Sequence, residues 1–412
     1  MTELAISKMR FSCSRIACSL ALLLCGSLSF CSEQEAAAKT GDVSPAPHAS
    51  RPVNSEGFQK AAAAAQAASA DNRFPEAIRL YARATELNPS WSEGWWRLGT
   101  LLFDAGRYRE SRDAFTHFLS VERREPGPAL AMVGLSDFYL KRYPEALSAT
   151  ERGMKLGLGD NPDFGQVVLY HDGVLQTKLG RPEVALQRLT LAANRLAAAH
   201  PDSSAPAVLG NEDLVDALGL AALRMPMLPS EVPDSEKPVV RLAGQAQAQI
   251  ALSDRPAAEV QLKQLVALYP SHPGVHSMYG VFLTKEHPPL ALEEFRREIE
   301  VSPHDAVARI QIAFALLNVG DYEQGERYAS QAVALAPNDF IAHVVCGRLL
   351  LELGKTDQAL QQLRTAVKLA PSSADAHFAL SRALSQSGQA TEAAREREAF
   401  EHLKALAEAH NP

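Results

Sequence analysis

The chain of 412 residues lacks the features that mark most enzymes, disulfide-rich domains and nucleic-acid-binding proteins. It contains no Gly-rich phosphate loop and no HExxH, CxxC or GxSxG motif. Four of its five cysteines precede residue 32, so that Cys346 alone lies downstream and no disulfide framework can form there. The net charge is −7, whereas a protein that binds a phosphate backbone needs a basic face. We predict no cofactor, no metal and no nucleic-acid partner.

Long apolar runs are also missing, apart from one N-terminal segment. Residues 16–30 form an apolar run behind Lys8, Arg10 and Arg15. A basic start followed by a short apolar run is typical of an export signal. The run is shorter than the roughly 20 residues that a membrane-spanning helix needs. We therefore predict an export signal at residues 1–31 and a location in the periplasm or anchored in the cell envelope.

Two processing sites fit the end of this segment. The residues around Cys31 resemble a bacterial lipoprotein site, in which the cysteine is lipidated, although Phe30 stands where a small residue is usual. Ordinary cleavage after Ala38 is the alternative, and the lipoprotein interpretation is slightly favoured. Residues 32–57 are small, polar and proline-bearing, which is typical of a flexible tether. Any contact with a membrane would then be made through the N-terminal lipid anchor.

What the sequence does contain is a period of 34 residues. Pro303, Pro337 and Pro371 are spaced at this interval. Two sets of small residues keep the same spacing, namely Ala291, Gly325, Ala359 and Ala393, and Ala313, Gly347 and Ser381. This period is the length of one helix–turn–helix unit of an α-solenoid. Each such repeat packs only on its neighbours, so the array can grow without a central core.

The repeat pattern resembles that of tetratricopeptide repeat (TPR) proteins. The clearest repeat runs from Ala306 to Asp339 and matches at Ile312, Ala313, Leu316, Ala329, Ala332 and Pro337. The next one matches at Cys346, Gly347, Leu350, Ala359, Leu363, Ala366 and Pro371. The resemblance implies an all-α fold, a right-handed α-solenoid of antiparallel helix pairs. About nine TPR repeats would cover the chain from Phe58 to near Ala407.

The period breaks between Pro201 and Pro238, which predicts two blocks of repeats. We expect an N-terminal block at residues 58–200, a degenerate half-repeat with a proline-rich linker at 201–238, and a C-terminal block at 239–412 that ends in a capping helix. One helix is predicted from Asn211 to Arg224, with Asn211 as its cap. The break is either a bend or a surface insertion without a role, and the sequence leaves both open.

The resemblance also implies a concave groove lined by the first helix of each repeat. In the C-terminal block the corresponding residues are Ile310, Phe314, Leu317, Ile341, Val344, Arg348, Leu351 and Arg382, and in the N-terminal block they are Trp96, Phe103 and Tyr139. Arg348 and Arg382 are 34 residues apart and so take the same position in successive repeats. An apolar floor with aligned guanidinium groups suits an amphipathic or acidic peptide. Cover by a neighbouring helix, or self-association, is the competing interpretation.

The histidines invite a comparison with catalytic and metal sites. His276, His343 and His377 each take position 4 of a repeat, where we predict roles in packing or at a helix surface rather than in metal binding. The pair His171 and Asp172 lacks a nucleophile at any recognisable spacing, and we predict an ordinary helix surface there.

These observations predict a non-catalytic protein–protein interaction scaffold of the bacterial cell envelope. It would bind a peptide or helix of a protein partner in the TPR groove. One alternative is an accessory factor in envelope, outer-membrane or pilus biogenesis. Another is an enzyme whose site, for example at His171 and Asp172, escapes recognition.

Overall fold

The computed structural model describes residues 55–122 and 126–409. The predicted export signal (residues 1–31), Cys31 within it, and residues 32–54 of the predicted tether lie outside the described residues. The described part of the chain contains twenty α-helices and no strand, which confirms the predicted all-α fold of stacked helix pairs. It divides into two compact units.

Of the described residues, unit 1 comprises 55–122, 126–234 and Ala251–Ser253. Its helices form pairs, and the second helix of one pair packs on the first helix of the next. The first helix begins at Ser55, three residues before the predicted start of the repeats. The helices are α1 (Ser55–Ala70), α2 (Phe74–Leu87), α3 (Ser92–Asp104), α4 (Tyr108–Val121), α5 (Pro126–Tyr139), α6 (Tyr143–Leu156), α7 (Pro162–Lys178), α8 (Pro182–Ala199), α9 (Ser204–Leu209) and α10 (Glu212–Ala222).

The pair α5 and α6 is held together by small residues that let the two backbones approach closely. A Cβ atom at Gly134 would lie 2.6 Å from Thr150 Cγ2 and 2.9 Å from the Ala146 carbonyl oxygen. A Cβ atom at Gly153 would lie 2.8 Å from the Gly127 carbonyl oxygen. Real Cβ atoms do not approach other atoms this closely, so glycine is required at these positions by the helix contact itself.

Residues 201–234 fold against the preceding repeat instead of forming another full helix pair. The predicted helix is present as α10, and the Asn211 side chain accepts a hydrogen bond of 3.1 Å from the Leu214 N–H, which confirms its role as the cap. In place of a second helix the proline-rich stretch has one short 3₁₀ turn, Pro229–Glu231. Glu231 pairs with Lys178 of α7 at 2.7 Å. Residues 201–234 therefore pack on and form an ion pair with helices of their own unit. The exact boundaries of the two blocks of repeats stay predictions.

Of the described residues, unit 2 comprises Ser235–Ile250 and 254–409. From α13 onward its helices alternate as first and second members of pairs, and each packs on the next. The helices are α11 (Lys237–Ala251), α12 (Arg255–Leu268), α13 (Val275–Leu283), α14 (Pro288–Val301), α15 (Ala306–Val319), α16 (Tyr322–Leu335), α17 (Phe340–Glu352), α18 (Thr356–Leu369), α19 (Ala374–Gln386) and α20 (Ala390–Ala409).

Local sequence explains where the helices of unit 2 begin and end. The side chains of Asp305, Asp339 and Ser373 accept hydrogen bonds from the N–H groups at the starts of α15, α17 and α19. Gly320 follows α15 with φ = 83°, a left-handed conformation that favours glycine. Successive first helices also touch, since α15 contacts α17 and α17 contacts α19. The first helices α15, α17 and α19 thus lie side by side, and we call the surface that they share the first-helix face.

Candidate functional site

Four of the eight predicted groove residues of the C-terminal block reach solvent on the first-helix face. Phe314 is 37% exposed and Ile341 is 43% exposed. Arg382 is also exposed, and Arg348 is partly so. They lie on three adjacent helices, α15, α17 and α19. The structure therefore places two apolar side chains, Phe314 and Ile341, and both arginines on the first-helix face.

The other four are buried, which corrects their assignment to an accessible groove. Ile310, Leu317, Val344 and Leu351 are all less than a tenth exposed and belong to the core cluster of unit 2. The physical reason is the contact between successive first helices, which covers positions that an isolated helix would present to a ligand. These side chains hold the face together rather than lining it.

The predicted aromatic groove of the N-terminal block is likewise a packing cluster. Trp96 is 2% exposed and lies 5.3 Å, between ring centroids, from Phe118. Phe103 is also buried. Tyr139 is partly buried and stacks on Tyr108 at 4.4 Å with an interplanar angle of 10°. Offset and edge-to-face aromatic contacts of this kind stabilise a core, and we correct the prediction accordingly.

The sequence prediction missed two exposed apolar residues that take groove positions on first helices. Phe378 on α19 is 47% exposed and Val281 on α13 is 55% exposed. Phe378 also contacts Phe400 of the last helix at 5.1 Å between ring centroids. Both residues take groove positions of their own repeats, positions 5 and 9, so the mapping used for Phe314 could have found them.

The two aligned arginines have different surroundings. The Arg348 guanidinium carbon lies 5.8 Å from the centroid of the Phe314 ring, within the range of a cation–π contact. Arg382 Nη2 lies 3.3 Å from Glu352 Oε1 and forms an ion pair. The period of 34 residues places both arginines on one face, but only one of them is neutralised by a described carboxylate.

The three histidines at position 4 each make the same pair of hydrogen bonds, which connect neighbouring repeats. His276 Nδ1 lies 2.6 Å from Glu294 Oε2, and His276 Nε2 lies 2.9 Å from the Pro270 carbonyl oxygen. His343 and His377 make the same pair of contacts, with Gln362 and Glu396 of the second helix and with the carbonyl groups of Pro337 and Pro371. Each ring ties the second helix of its repeat to the proline that ends the preceding one. The packing role predicted for these histidines is confirmed.

The hydrogen bonds of His276 are expected to make the stability of unit 2 depend on pH. The hydrogen bond that the His276 ring donates to the Glu294 carboxylate raises the pKa of His276 above its ordinary value of 6.5, and the charge of Glu298 adds to this effect. Arg297 Nη1 lies 2.6 Å from Oε1, the other carboxylate oxygen of Glu294, and forms an ion pair with it. Because the folded-state pKa of His276 exceeds the unfolded one, its stabilisation is fully present below about pH 6.5 and is lost as the pH rises through the folded-state pKa.

We therefore expect the urea midpoint of helix loss in unit 2 to fall as the pH is raised from about 6 to 8. Replacing His276 with glutamine should flatten this dependence, because glutamine does not titrate. Circular dichroism during urea titration at several pH values would measure both slopes. Equal slopes for the two proteins would contradict the assignment of the effect to His276.

At the start of α13, a carboxylate of the next helix accepts the hydrogen bonds that an N-cap side chain would normally accept. Gly274 stands at the cap position with φ = 86° and has no side chain to accept a hydrogen bond. Glu298 of α14 is fully buried, and its two oxygens accept hydrogen bonds from the N–H groups of Gly274 (2.9 Å) and Ser277 (3.0 Å). Asp305 and Asp339 make the equivalent bonds to N–H groups two and three residues further along the chain. The cap of α13 is thus a tertiary contact.

His171 and Asp172 are buried inside unit 1, which corrects their assignment to a helix surface. Burial lowers the pKa of His171 to about 4 and raises the pKa of Asp172 to about 6. His171 Nδ1 lies 2.8 Å from the Val167 carbonyl oxygen of its own helix, and its ring meets Phe138 edge to face. Asp172 forms an ion pair of 3.0 Å with Arg188. Packing therefore explains the perturbation of both groups.

In the part of the chain that the structure describes, none of the helices combines the length and the hydropathy of a membrane-spanning segment. Within residues 55–122 and 126–409, no three His, Cys, Asp or Glu side chains are grouped so that they could hold a metal ion.

Comparison with known proteins identifies the repeats. The family model described as "Tetratricopeptide repeat" matches residues 62–119, 97–155 and 346–400. No curated protein matches the sequence.

Solved structures with similar folds are distant in sequence. One is "MamA 41-end from Desulfovibrio magneticus RS-1", at 19% identity and a TM-score of 0.36, covering 44% of this chain and 99% of that chain. Another, "Functional Characterization of Pseudomonas Aeruginosa pilF", has 17% identity and a TM-score of 0.38 and covers 41% of this chain and 78% of that chain. The family model, together with the stacked helix pairs, leads to the conclusion that this chain carries tetratricopeptide repeats in an all-α solenoid fold.

Proposed function

We propose that the protein is a non-catalytic scaffold that binds a protein partner on the first-helix face of unit 2. TPR proteins in general bind protein partners, and the partner here would supply a helix or an extended segment. The observation that carries the proposal is the exposure of large apolar side chains on neighbouring first helices. Phe314, Ile341 and Phe378 are each more than a third exposed on α15, α17 and α19.

Exposed apolar side chains that lie together on one face are typical of an interaction site, whereas single ones are ordinary surface. The three residues stand on first helices that contact one another in sequence, so all three lie on the first-helix face. The buried residues beneath them, such as Val344 and Leu351, hold the helices in place and make the surface rigid. A rigid surface loses little conformational entropy when a partner binds.

We further propose that the scaffold works in the bacterial cell envelope. The support is the sequence of residues 1–57, where an export-like leader with Cys31 precedes a stretch of tether composition. A lipid anchor at Cys31 and a tether would let the repeats reach a partner at some distance from a membrane. The mature N-terminus, read by mass spectrometry, would distinguish lipidation at Cys31 from cleavage after Ala38.

The binding face is tested by affinity purification of partners from envelope extracts. The double substitution Phe314→Asp and Ile341→Asp should reduce recovery of a specific partner at least about tenfold, because it puts charge at the centre of an apolar interface. The matched control is Val260→Asp with Leu268→Asp, two residues of α12 that are 65% and 58% exposed outside the first-helix face. Equal loss of the partner with both double variants would count against the proposed face.

A further inference from the structure

The charged residues of the first-helix face indicate the chemistry of the partner segment more closely than the apolar residues of that face do. We propose, building on the function above, that the partner segment carries an acidic side chain flanked by apolar residues, and that Arg348 alone binds its carboxylate. The apolar residues of the partner pack on Phe314 and Ile341.

Arg348 is placed to receive a carboxylate. Among the described residues, none accepts a hydrogen bond from its guanidinium group or forms an ion pair with it, and the guanidinium carbon lies 5.8 Å from the centroid of the Phe314 ring. The group carries five N–H donors in a planar fork that matches the two oxygens of a carboxylate. The aromatic contact limits the motion of the side chain, so little further ordering is needed on binding.

Arg382 is not equivalent, although the repeat period places it in register. Its guanidinium group already pairs with Glu352 of α17 at 3.3 Å. A second carboxylate at Arg382 would have to displace Glu352 or sit beside it, and two like charges so close repel each other. Of these two arginines, only Arg348 has no carboxylate partner among the described residues, and we expect one essential acidic residue in the partner.

The surroundings of Arg348 explain why apolar residues should flank that acidic residue. Ile341 precedes Arg348 by seven residues on α17, two helical turns away on the same side of the helix. Phe314 lies on the neighbouring α15, and Phe378 lies on α19. A partner that covers these side chains also excludes water from the ion pair, and the attraction between the charges grows as the local dielectric falls. A wholly acidic segment would leave the apolar residues uncovered.

A peptide library tests this directly. The full chain would be used to select from a phage-displayed library of random peptides, and enriched peptides would be synthesised for fluorescence anisotropy. We expect an Asp or Glu between apolar residues in the enriched peptides. Arg348→Ala should weaken their binding about tenfold or more, and Arg382→Ala should weaken it less than about threefold. Lys368→Ala, at an exposed residue of α18 on a second helix, is the charge control.

A double-mutant cycle links the two charges. Changing the acidic residue of the peptide to its amide should cause the same loss as Arg348→Ala, and the two changes together should cost little more than either alone. Additive losses, or enriched peptides without an acidic residue, would overturn the role of Arg348. If those peptides still lost affinity with Phe314→Asp and Ile341→Asp, the proposed binding face would stand.

Two other outcomes would reject both proposals. One is that no peptide is enriched, or that none responds to any substitution on the first-helix face. The other is that a second copy of the chain covers this face. In that case light scattering would show a dimer that Phe314→Asp dissociates, and the selected peptides would fail to bind.

Discussion

Replacing Gly134 with alanine is expected to destabilise unit 1 by about 2 to 3 kcal/mol, although alanine is normally the better helix residue. The added Cβ atom would lie 2.9 Å from both the carbonyl oxygen of Ala146 and the amide nitrogen of Thr150. Because these are backbone atoms of α6, the clash cannot be relieved by rotating a side chain, and α5 and α6 must move apart. Urea unfolding followed by circular dichroism would measure the change.

Gly165 offers a matched control within the same unit. It lies inside α7, and a Cβ atom there would meet only Arg195 Nη1, at 3.7 Å. Gly165→Ala should therefore stabilise unit 1, by about 0.5 to 1 kcal/mol, through the lower backbone entropy of the unfolded chain. If both substitutions changed the urea midpoint in the same direction, helix propensity rather than close approach would govern the two positions.

Replacing Glu298 with alanine is expected to destabilise unit 2 by about 3 kcal/mol. The substitution removes both acceptors from the buried N–H groups of Gly274 and Ser277, and each unsatisfied buried donor costs about 1 to 3 kcal/mol. Glu298→Gln keeps the shape and one oxygen acceptor, so its loss should be smaller. The free energy of unfolding, from urea titration of the three proteins, would show this order.

Glu300→Ala is the control for helix α14, because Glu300 is exposed on the same helix. A surface substitution of this kind should change the stability by less than about 0.5 kcal/mol. If Glu298→Ala were as mild as Glu300→Ala, the two N–H groups would have other acceptors, and the assignment of Glu298 as the cap would be wrong.

The repeat fold could be predicted from local spacing because it depends on which residues are small. A Cβ atom at Gly347 would come within 2.5 Å of Leu363 Cγ, and the sequence pattern had already placed both residues at contact positions of one repeat. The cap at Asn211 was equally predictable, since an N-cap acts on the residues that follow it directly. Such features require only residues that are close together in the chain.

The proposed binding face could be predicted from the sequence only in part. Position within a repeat identified Phe314, Ile341, Arg348 and Arg382, which do lie on the first-helix face. It also nominated Ile310, Leu317, Val344 and Leu351, which the neighbouring first helices bury. Exposure depends on how closely successive repeats pack, and that distance is the sum of many side-chain volumes on different helices. A position number carries no such information.

The sequence by itself determined that this protein is a stack of helix pairs, because a period of small residues and prolines leaves few other ways to bury its apolar side chains. Only the tertiary structure decided which charged side chains have an ion-pair or hydrogen-bond partner. Glu352 lies 30 residues before Arg382, and Glu298 lies 24 residues after Gly274. Contacts over such separations form only when neighbouring helices are in place, so only the folded chain could show that Arg348 has no carboxylate partner among the described residues.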